Sequence, residues 1–170
     1  MDEANQKNSE RWKNMKITKT EINDESRCFV IAEIGCNHQG DIGIADKMIQ
    51  KAAEAGANAV KFQKRSIKDL YTTEEYNKPY ENENSFGKTY GEHREALEFD
   101  FEQFQYLKTC AKNCYVSFIV TPFDIESVDF LEEVGVDASL CNRKSRRGAF
   151  EEFRRLSGHR LCHTGEQRHS

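Results

Sequence analysis

The run Phe29-Val30-Ile31-Ala32-Glu33-Ile34-Gly35-Cys36-Asn37-His38-Gln39-Gly40 decides how the rest of the chain is read. It begins as an apolar segment of strand length and ends in polar residues and glycine, with one carboxylate, Glu33, among the hydrophobic positions. Glutamate is a poor strand former and is costly to bury without a partner. Near the carboxyl end of a buried strand it faces either a ligand or a neighbouring backbone group or lysine. Downstream, Asp41 fits an N-cap, and Ile44, Ala45, Met48, Ile49, Ala52 and Ala53 recur at helical spacing before Gly56. Ala59-Val60-Lys61-Phe62-Gln63 then reads as a second short strand. Strand, helix and strand joined by short connections predict parallel pairing with a right-handed crossover. Lys61 repeats the anomaly of Glu33, a charge inside a strand at the end from which the chain leaves. Ligands of parallel α/β sheets and barrels bind at that edge. An ion pair between Glu33 and Lys61 would equally satisfy both without any ligand.

Outward from this unit, residues 1–14 are charged and polar and are expected to form a disordered leader. Met15 to Thr20 predicts a short strand, with Asn23-Asp24-Glu25-Ser26 as the turn into Phe29, a small hairpin closing one end of the fold. Residues 64–99 read as one long polar loop rich in aromatics (Tyr71, Tyr76, Tyr80, Phe86, Tyr90), and loops of that length in compact domains are functional or disordered. Gly87-Lys88-Thr89 is not a nucleotide-binding loop, because Asn82 stands where a glycine is required and no strand leads in. Asp100 with Gln103 forms a capping box, and Phe101, Phe104, Leu107, Cys110 and Ala111 make an apolar helix face. Tyr115 to Val120 predicts a third strand ending in Thr121-Pro122-Phe123. Asp124 opens a helix with Ile125, Val128, Leu131 and Val134 inward and Gly135 closing it, and Val136-Asp137-Ala138 looks like entry into a fourth strand. From Ser139 the pattern dissolves: only seven of the last thirty residues are hydrophobic, without a period.

The 170 residues suffice for one domain with a real core. No run approaches the roughly 20 apolar residues of a membrane span, and Met1 to Lys16 lacks the apolar segment of a signal peptide, so a soluble cytoplasmic protein without membrane partners is expected. The six cysteines are expected to be reduced thiols in core or incidental positions, since Cys110 and Cys114 have no second pair at metal-binding spacing. Charge is divided unevenly. Residues 141–170 carry eight Lys or Arg against three acids, whereas residues 1–140 carry 17 against 26. The basic tail could meet an acidic partner, but it holds no nucleic-acid-binding motif, and nucleic acid is not expected as a partner.

Repeated strand–helix units with charged strand exits suggest a (β/α) barrel. At this point Ala32-Glu33-Ile34-Gly35-Cys36-Asn37-His38-Gln39-Gly40, Lys61-Phe62-Gln63, Ser85-Phe86-Gly87-Lys88-Thr89-Tyr90-Gly91-Glu92-His93 and Thr121-Pro122-Phe123 resemble, in order and spacing, the sialic acid (N-acetylneuraminate) synthase family. The resemblance covers residues 15 to about 138, the first three β/α units of a TIM barrel, so the fold class expected is α/β, an incomplete (β/α)8 barrel followed by a divergent, irregular tail. It implies a transferase of sialic acid biosynthesis that condenses phosphoenolpyruvate with an N-acetylated amino sugar, releasing phosphate. Carbon 3 of the enol phosphate attacks the open-chain aldehyde and water adds at carbon 2, with a divalent metal (Mn or Mg) polarising the aldehyde. Carried over, Glu33 is the sugar-binding and candidate catalytic carboxylate, Lys61 the cation for phosphoenolpyruvate, and Gln63 a sugar contact. Thr121 and Phe123 line the same mouth, and Tyr90 and His93 are candidates on the loop closing over substrate. His38 with Asn37 organises the first loop, because the family's metal histidines come from later strands. The resemblance implies homodimers in the family, and leaves the oligomeric state of this chain open.

A full barrel takes about 250 residues. The expected organisation is therefore a leader over 1–14, a barrel portion over 15–138 and a basic, disordered tail over 139–170. The chain is expected to end before the fourth strand, without the metal ligands, and to have little or no synthase activity alone. The abrupt switch near Ser139 suggests a frameshift or altered exon junction. A non-enzymatic fragment or binding module using the tail, and another enolpyruvate-condensing barrel enzyme, are the alternative readings.

Overall fold

The structure, a computed structural model, describes residues 15–18, 20–23 and 25–139. The expected leader and all but the first residue of the expected tail lie outside them. Four strands, β3 (Ile31–Glu33), β4 (Ala59–Lys64), β5 (Ser117–Pro122) and β6 (Ala138–Ser139), form one sheet in sequence order, every pair parallel. Between them run two 13-residue helices, α1 (Ile42–Glu54) and α5 (Phe101–Asn113), and the ten-residue α6 (Ile125–Val134). A shorter hairpin, β1 (Met15–Ile17) and β2 (Thr20–Ile22), precedes them.

The strands alternate in what they face. Val60 and Phe62 of β4 and Phe118 and Val120 of β5 are fully buried against Ala45 and Ile49 of α1, Phe104, Leu107 and Ala111 of α5, and Leu131 and Val134 of α6. All three long helices therefore cover the same side. Sequential strand order with helices on one side is a singly wound sheet, since each right-handed crossover returns the chain beyond the strand before it. The odd-numbered positions of β3, β4 and β5 face away from the helices. At the end where the strands begin, Ile17 from the hairpin joins Ala59, Ile119 and Ala138 in a second small core, with Ile22, Phe29 and Ile31 around it. The hairpin does close one end of the fold.

Its details differ from expectation. The reversal falls at Thr18, inside the segment read as one strand, and Asn23–Ser26 is a separate turn, held by the Asn23 N–H donating to Ser26 Oγ at 3.0 Å. The third strand starts two residues later than its apolar run suggests. Tyr115, expected inside it, is 95% exposed with φ +59°, occupying the left-handed position after α5 where glycine is usual. Ile125, expected to point inward, is exposed at the first position of α6. The fourth strand does begin, as Ala138 and Ser139 pair with Ile119 and Val120.

The segment 64–99 is not one loop. It contains α2 (Ile67–Leu70), α3 (Thr73–Tyr76) and α4 (Tyr90–Glu95), with Pro79 bridged to Thr89. These elements are too short to show a period. Their caps were nevertheless present in the residues: Thr72 accepts from the Glu75 N–H, and Thr89 and Glu92 make a full capping box.

Candidate active site at the strand exits

Register brings the two anomalous charges together. Glu33 is the direct parallel partner of Lys61, so both side chains leave the same side of the sheet, the side away from the helices. Lys61 Nζ lies 2.5 Å from Glu33 Oε2. The lysine side chain is 19% exposed and the glutamate 51%, so the carboxylate is not buried as its place in an apolar run suggests. β3 is short and lies at the edge of the described sheet, which leaves Glu33 open to solvent. The pair leaves Lys61 the other faces of its ammonium, and Glu33 its second oxygen, for a ligand.

One step further along the strands, Gln63 is the register partner of Thr121. Gln63 Oε1 accepts from Arg65 Nη2 and from the Cys36 thiol at 3.7 Å, so the amide oxygen is engaged and the Nε2 donor end is left for a ligand. Thr121 Oγ1 is buried and has no hydrogen-bond partner among the described residues, a costly arrangement for a hydroxyl unless something else meets it. Glu33, Lys61, Gln63 and Thr121 thus share one face at one end of three adjacent strands. Phe123, just past β5, stacks beneath the Arg65 guanidinium at 4.1 Å and borders this group.

Arg65 itself was not picked out by the sequence. It is buried, donates from Nη1 to Glu98 Oε1 at 3.3 Å, and its backbone N–H donates to Glu98 Oε2 at 3.1 Å. Lys64 Nζ reaches the same carboxylate at 3.6 Å, the Phe99 carbonyl at 3.0 Å and the Phe130 ring at 4.7 Å. Glu98 therefore ties the end of the 64–99 excursion to its beginning. Cys36, read as incidental, is half-buried here, with Arg65 Nη1 donating to its sulfur at 3.5 Å. The four described cysteines are free thiols, and Cys141 and Cys162 lie outside the described residues.

The first loop is built by Asn37 and His38. Asn37 Nδ2 donates to the Ile34 carbonyl at 2.8 Å, and His38 Nδ1 accepts the Gly40 N–H at 3.1 Å while its ring stacks on Phe99 at 4.3 Å. Burial pulls the His38 pKa down to about 4, with a backbone hydrogen bond at Gly35 opposing and the Arg65 charge adding to the depression. Gly40 has φ +75°, and a Cβ there would sit 2.1 Å from the Ala96 carbonyl, so the loop abuts the end of α4.

Tyr90 and His93 stand on α4 rather than beside Lys61. His93 is buried between Tyr80 and Phe86 (4.6 and 5.8 Å between ring centres) and accepts the Phe86 N–H at 3.2 Å. Burial, then the neighbouring Arg94, lower its pKa. Tyr90 meets Tyr71 and Tyr80 edge-on, and its hydrogen bond to Tyr71, then burial, raise its pKa. A divalent metal does not fit these residues. His38 and His93 each use Nδ1 as an acceptor for a backbone N–H, Glu33 is paired, and among the described residues no three His, Cys, Asp or Glu side chains converge. No helix among the described residues is long and apolar enough to cross a membrane.

The family model described as the NeuB family matches residues 48–140, more than half of the chain. The chain is 43% identical over 109 residues to an N-acetylneuraminate-9-phosphate synthase of Mus musculus, covering 64% of this chain and 30% of that protein. It is 38% identical over 111 residues to an N,N'-diacetyllegionaminic acid synthase of Campylobacter jejuni, covering 65% and 33%. The chain thus spans about a third of the length of these curated relatives. Among solved structures, an N-acetylneuraminic acid (sialic acid) synthetase of Leptospira borgpetersenii in complex with citrate superposes with a TM-score of 0.60 at 23% identity, over 85% of this chain and 55% of that one, a likeness of fold. With the family model matched across its strands and helices from α1 to β6, the chain belongs to the NeuB family, the sialic and legionaminic acid synthase-like proteins.

Proposed function

We propose that the described residues form the opening part of a synthase (β/α) barrel, and that its strand exits hold phosphoenolpyruvate and an N-acetylated amino sugar for condensation to a nonulosonic acid and phosphate. The observation that carries this reading is the Glu33–Lys61 pair in register on the open side of the sheet, with Gln63 and the partnerless Thr121 hydroxyl one step along. Lys61 holds the anionic enol phosphate through charge-assisted hydrogen bonds, worth roughly 1.5–3 kcal/mol each. Glu33 accepts from hydroxyls of the sugar, and Gln63, its oxygen engaged by Arg65, donates to it. Thr121 donates to whichever ligand oxygen reaches it, and Phe123 supports Arg65 from below. Positioning of this kind lowers the barrier by bringing carbon 3 of the enol against the aldehyde carbon. The bond between them forms as water adds at carbon 2 and phosphate departs.

Within this proposal the barrel portion expected over 15–138 extends to Ser139, which completes β6 as the start of a fourth unit, and the tail follows it. The described residues supply no metal site, so no step is assigned to one, and turnover requires residues beyond those described. Two assays on the purified chain test the reading. Calorimetric titration is expected to detect binding of phosphoenolpyruvate, while a coupled phosphate-release assay with phosphoenolpyruvate and N-acetylmannosamine shows no turnover. Absence of binding contradicts the site, and metal-dependent turnover contradicts the assignment of this chain as an incomplete enzyme.

A further inference from the structure

The guanidinium of Arg65 is a junction. Arg65 is the first residue after β4 and is buried, and its one planar group touches four separate parts of the chain. Nη1 donates to Cys36 Sγ in the first loop at 3.5 Å and to Glu98 Oε1 at 3.3 Å. Nη2 donates to Gln63 Oε1 on β4, and the plane lies 4.1 Å from the centre of the Phe123 ring past β5. A guanidinium holds its donors in a rigid fork, so its contact with Glu98 fixes how it meets Gln63.

That meeting sets a polarity. A glutamine amide carries an acceptor at one end and donors at the other, and turning it over exchanges them. Arginine has donors only, so beside Arg65 the amide keeps Oε1 toward the guanidinium and Nε2 away from it. The Cys36 thiol donates to the same oxygen at 3.7 Å. With Arg65 displaced, the two ends of the amide are free to exchange, and the strand exit loses a fixed donor.

Arg65 is in turn held from the far end of the 64–99 excursion. Glu98 gives one oxygen to the guanidinium and the other to the Arg65 backbone N–H, at 3.1 Å. Next to it, the Phe99 carbonyl accepts from Lys64 Nζ at 3.0 Å, and the Phe99 ring stacks on His38 at 4.3 Å. Glu98 therefore reaches Arg65 only when the return of the excursion is docked against the end of β4 and the first loop. Lys61 stands outside this relay, tied to Glu33.

We infer that Glu98 and Arg65 are positioning residues, which turn the donor end of Gln63 toward the amino sugar only while the excursion is docked. The inference rests on the function proposed above and adds a control to it. Sugar binding and docking of residues 64–99 stabilise each other, because a coupling between two events is reciprocal. Binding of phosphoenolpyruvate at Lys61 depends on neither.

Calorimetric titration of the purified chain with N-acetylmannosamine and with phosphoenolpyruvate tests the relay. Glu98→Gln leaves one acceptor oxygen where there were two. It is expected to weaken N-acetylmannosamine about tenfold, the loss of one good hydrogen bond, without moving phosphoenolpyruvate. Gln63→Ala is expected to do the same, and the double variant to bind the sugar no more weakly than Gln63→Ala alone. A merely structural Glu98 gives losses that multiply, and that outcome overturns the inference, as does equal weakening of both ligands in Glu98→Gln. A second readout needs no change at Glu98. Saturating N-acetylmannosamine is expected to slow amide hydrogen exchange over residues 90–98 at least about fivefold in wild type and not in Gln63→Ala. Unchanged exchange in wild type, or equal slowing in both, overturns the coupling even should Glu98→Gln fail to fold, which near-UV circular dichroism reports. Binding of phosphoenolpyruvate without N-acetylmannosamine defeats this inference alone, and binding of neither defeats the underlying reading as well.

Discussion

At the scale of single residues, Lys61 and Arg65 are two cations four positions apart with opposite duties. Lys61 faces the open side and shares a half-exposed carboxylate, so its ion pair contributes little to stability, within about 1 kcal/mol. Lys61→Met is expected to leave the urea midpoint nearly unchanged while weakening phosphoenolpyruvate binding by at least about tenfold. Arg65 is buried with Glu98, and removing one partner strands the other. Arg65→Met is expected to lower stability by about 3 kcal/mol in chemical denaturation; a loss below 1 kcal/mol shows that Lys64 alone satisfies Glu98. His38 gives a pH signature. Its folded-state pKa of about 4 lies below the unfolded value of 6.5, so the unfolded chain binds the extra proton between them. This contribution to stability is complete above pH 6.5 and declines toward pH 4, at up to about 1.4 kcal/mol per pH unit. The slope should flatten in His38→Asn. The charges at 33 and 61 were legible because each interrupts an apolar run. Arg65 and Glu98 were not, because neither interrupts an apolar run and their meeting depends on the path of the 32 residues between them.

At the scale of elements, caps were the most readable features and short helices the least. Asp41, Asp100 and Asp124 all accept from the N–H three residues on, as their place before apolar periodicity implies. α2, α3 and α4 have four, four and six residues, fewer than two turns, and cannot display a 3.6-residue repeat. Their stability comes from packing, as where Gly91 lets the Tyr76 ring approach within 2.1 Å of where a Cβ would stand. Tyr115 shows the cost of the wrong residue at a helix end. Its backbone is left-handed and its side chain exposed, so Tyr115→Gly is expected to raise stability by about 1 kcal/mol, read as an increase in melting temperature. A decrease would mean that the ring makes contacts its exposure does not suggest.

At the scale of the whole molecule, the order of strands follows the order of the chain, and this was legible from the strand–helix alternation alone. What periodicity does not encode is which face each strand turns inward when both faces carry apolar residues. Ile119 and Val120 are neighbours in sequence and equally buried, yet they belong to different cores. β4 and β5 are flanked on both sides and, where they begin, packed on both faces, whereas β3 has one neighbour among the described residues. Hydrogen exchange should therefore be slowest at Val60, Phe62, Phe118 and Val120 and faster at Ile31 to Glu33.

The central claim is that the ammonium of Lys61 meets the enol phosphate on the open side of the sheet. Lysine side-chain NMR during titration with phosphoenolpyruvate tests it most directly. The Lys61 resonance is expected to move saturably while that of Lys64, held by Glu98 and the Phe99 carbonyl, stays still. A Lys61 signal unaffected at saturating ligand, or one that moves no more than those of the exposed lysines, contradicts the account.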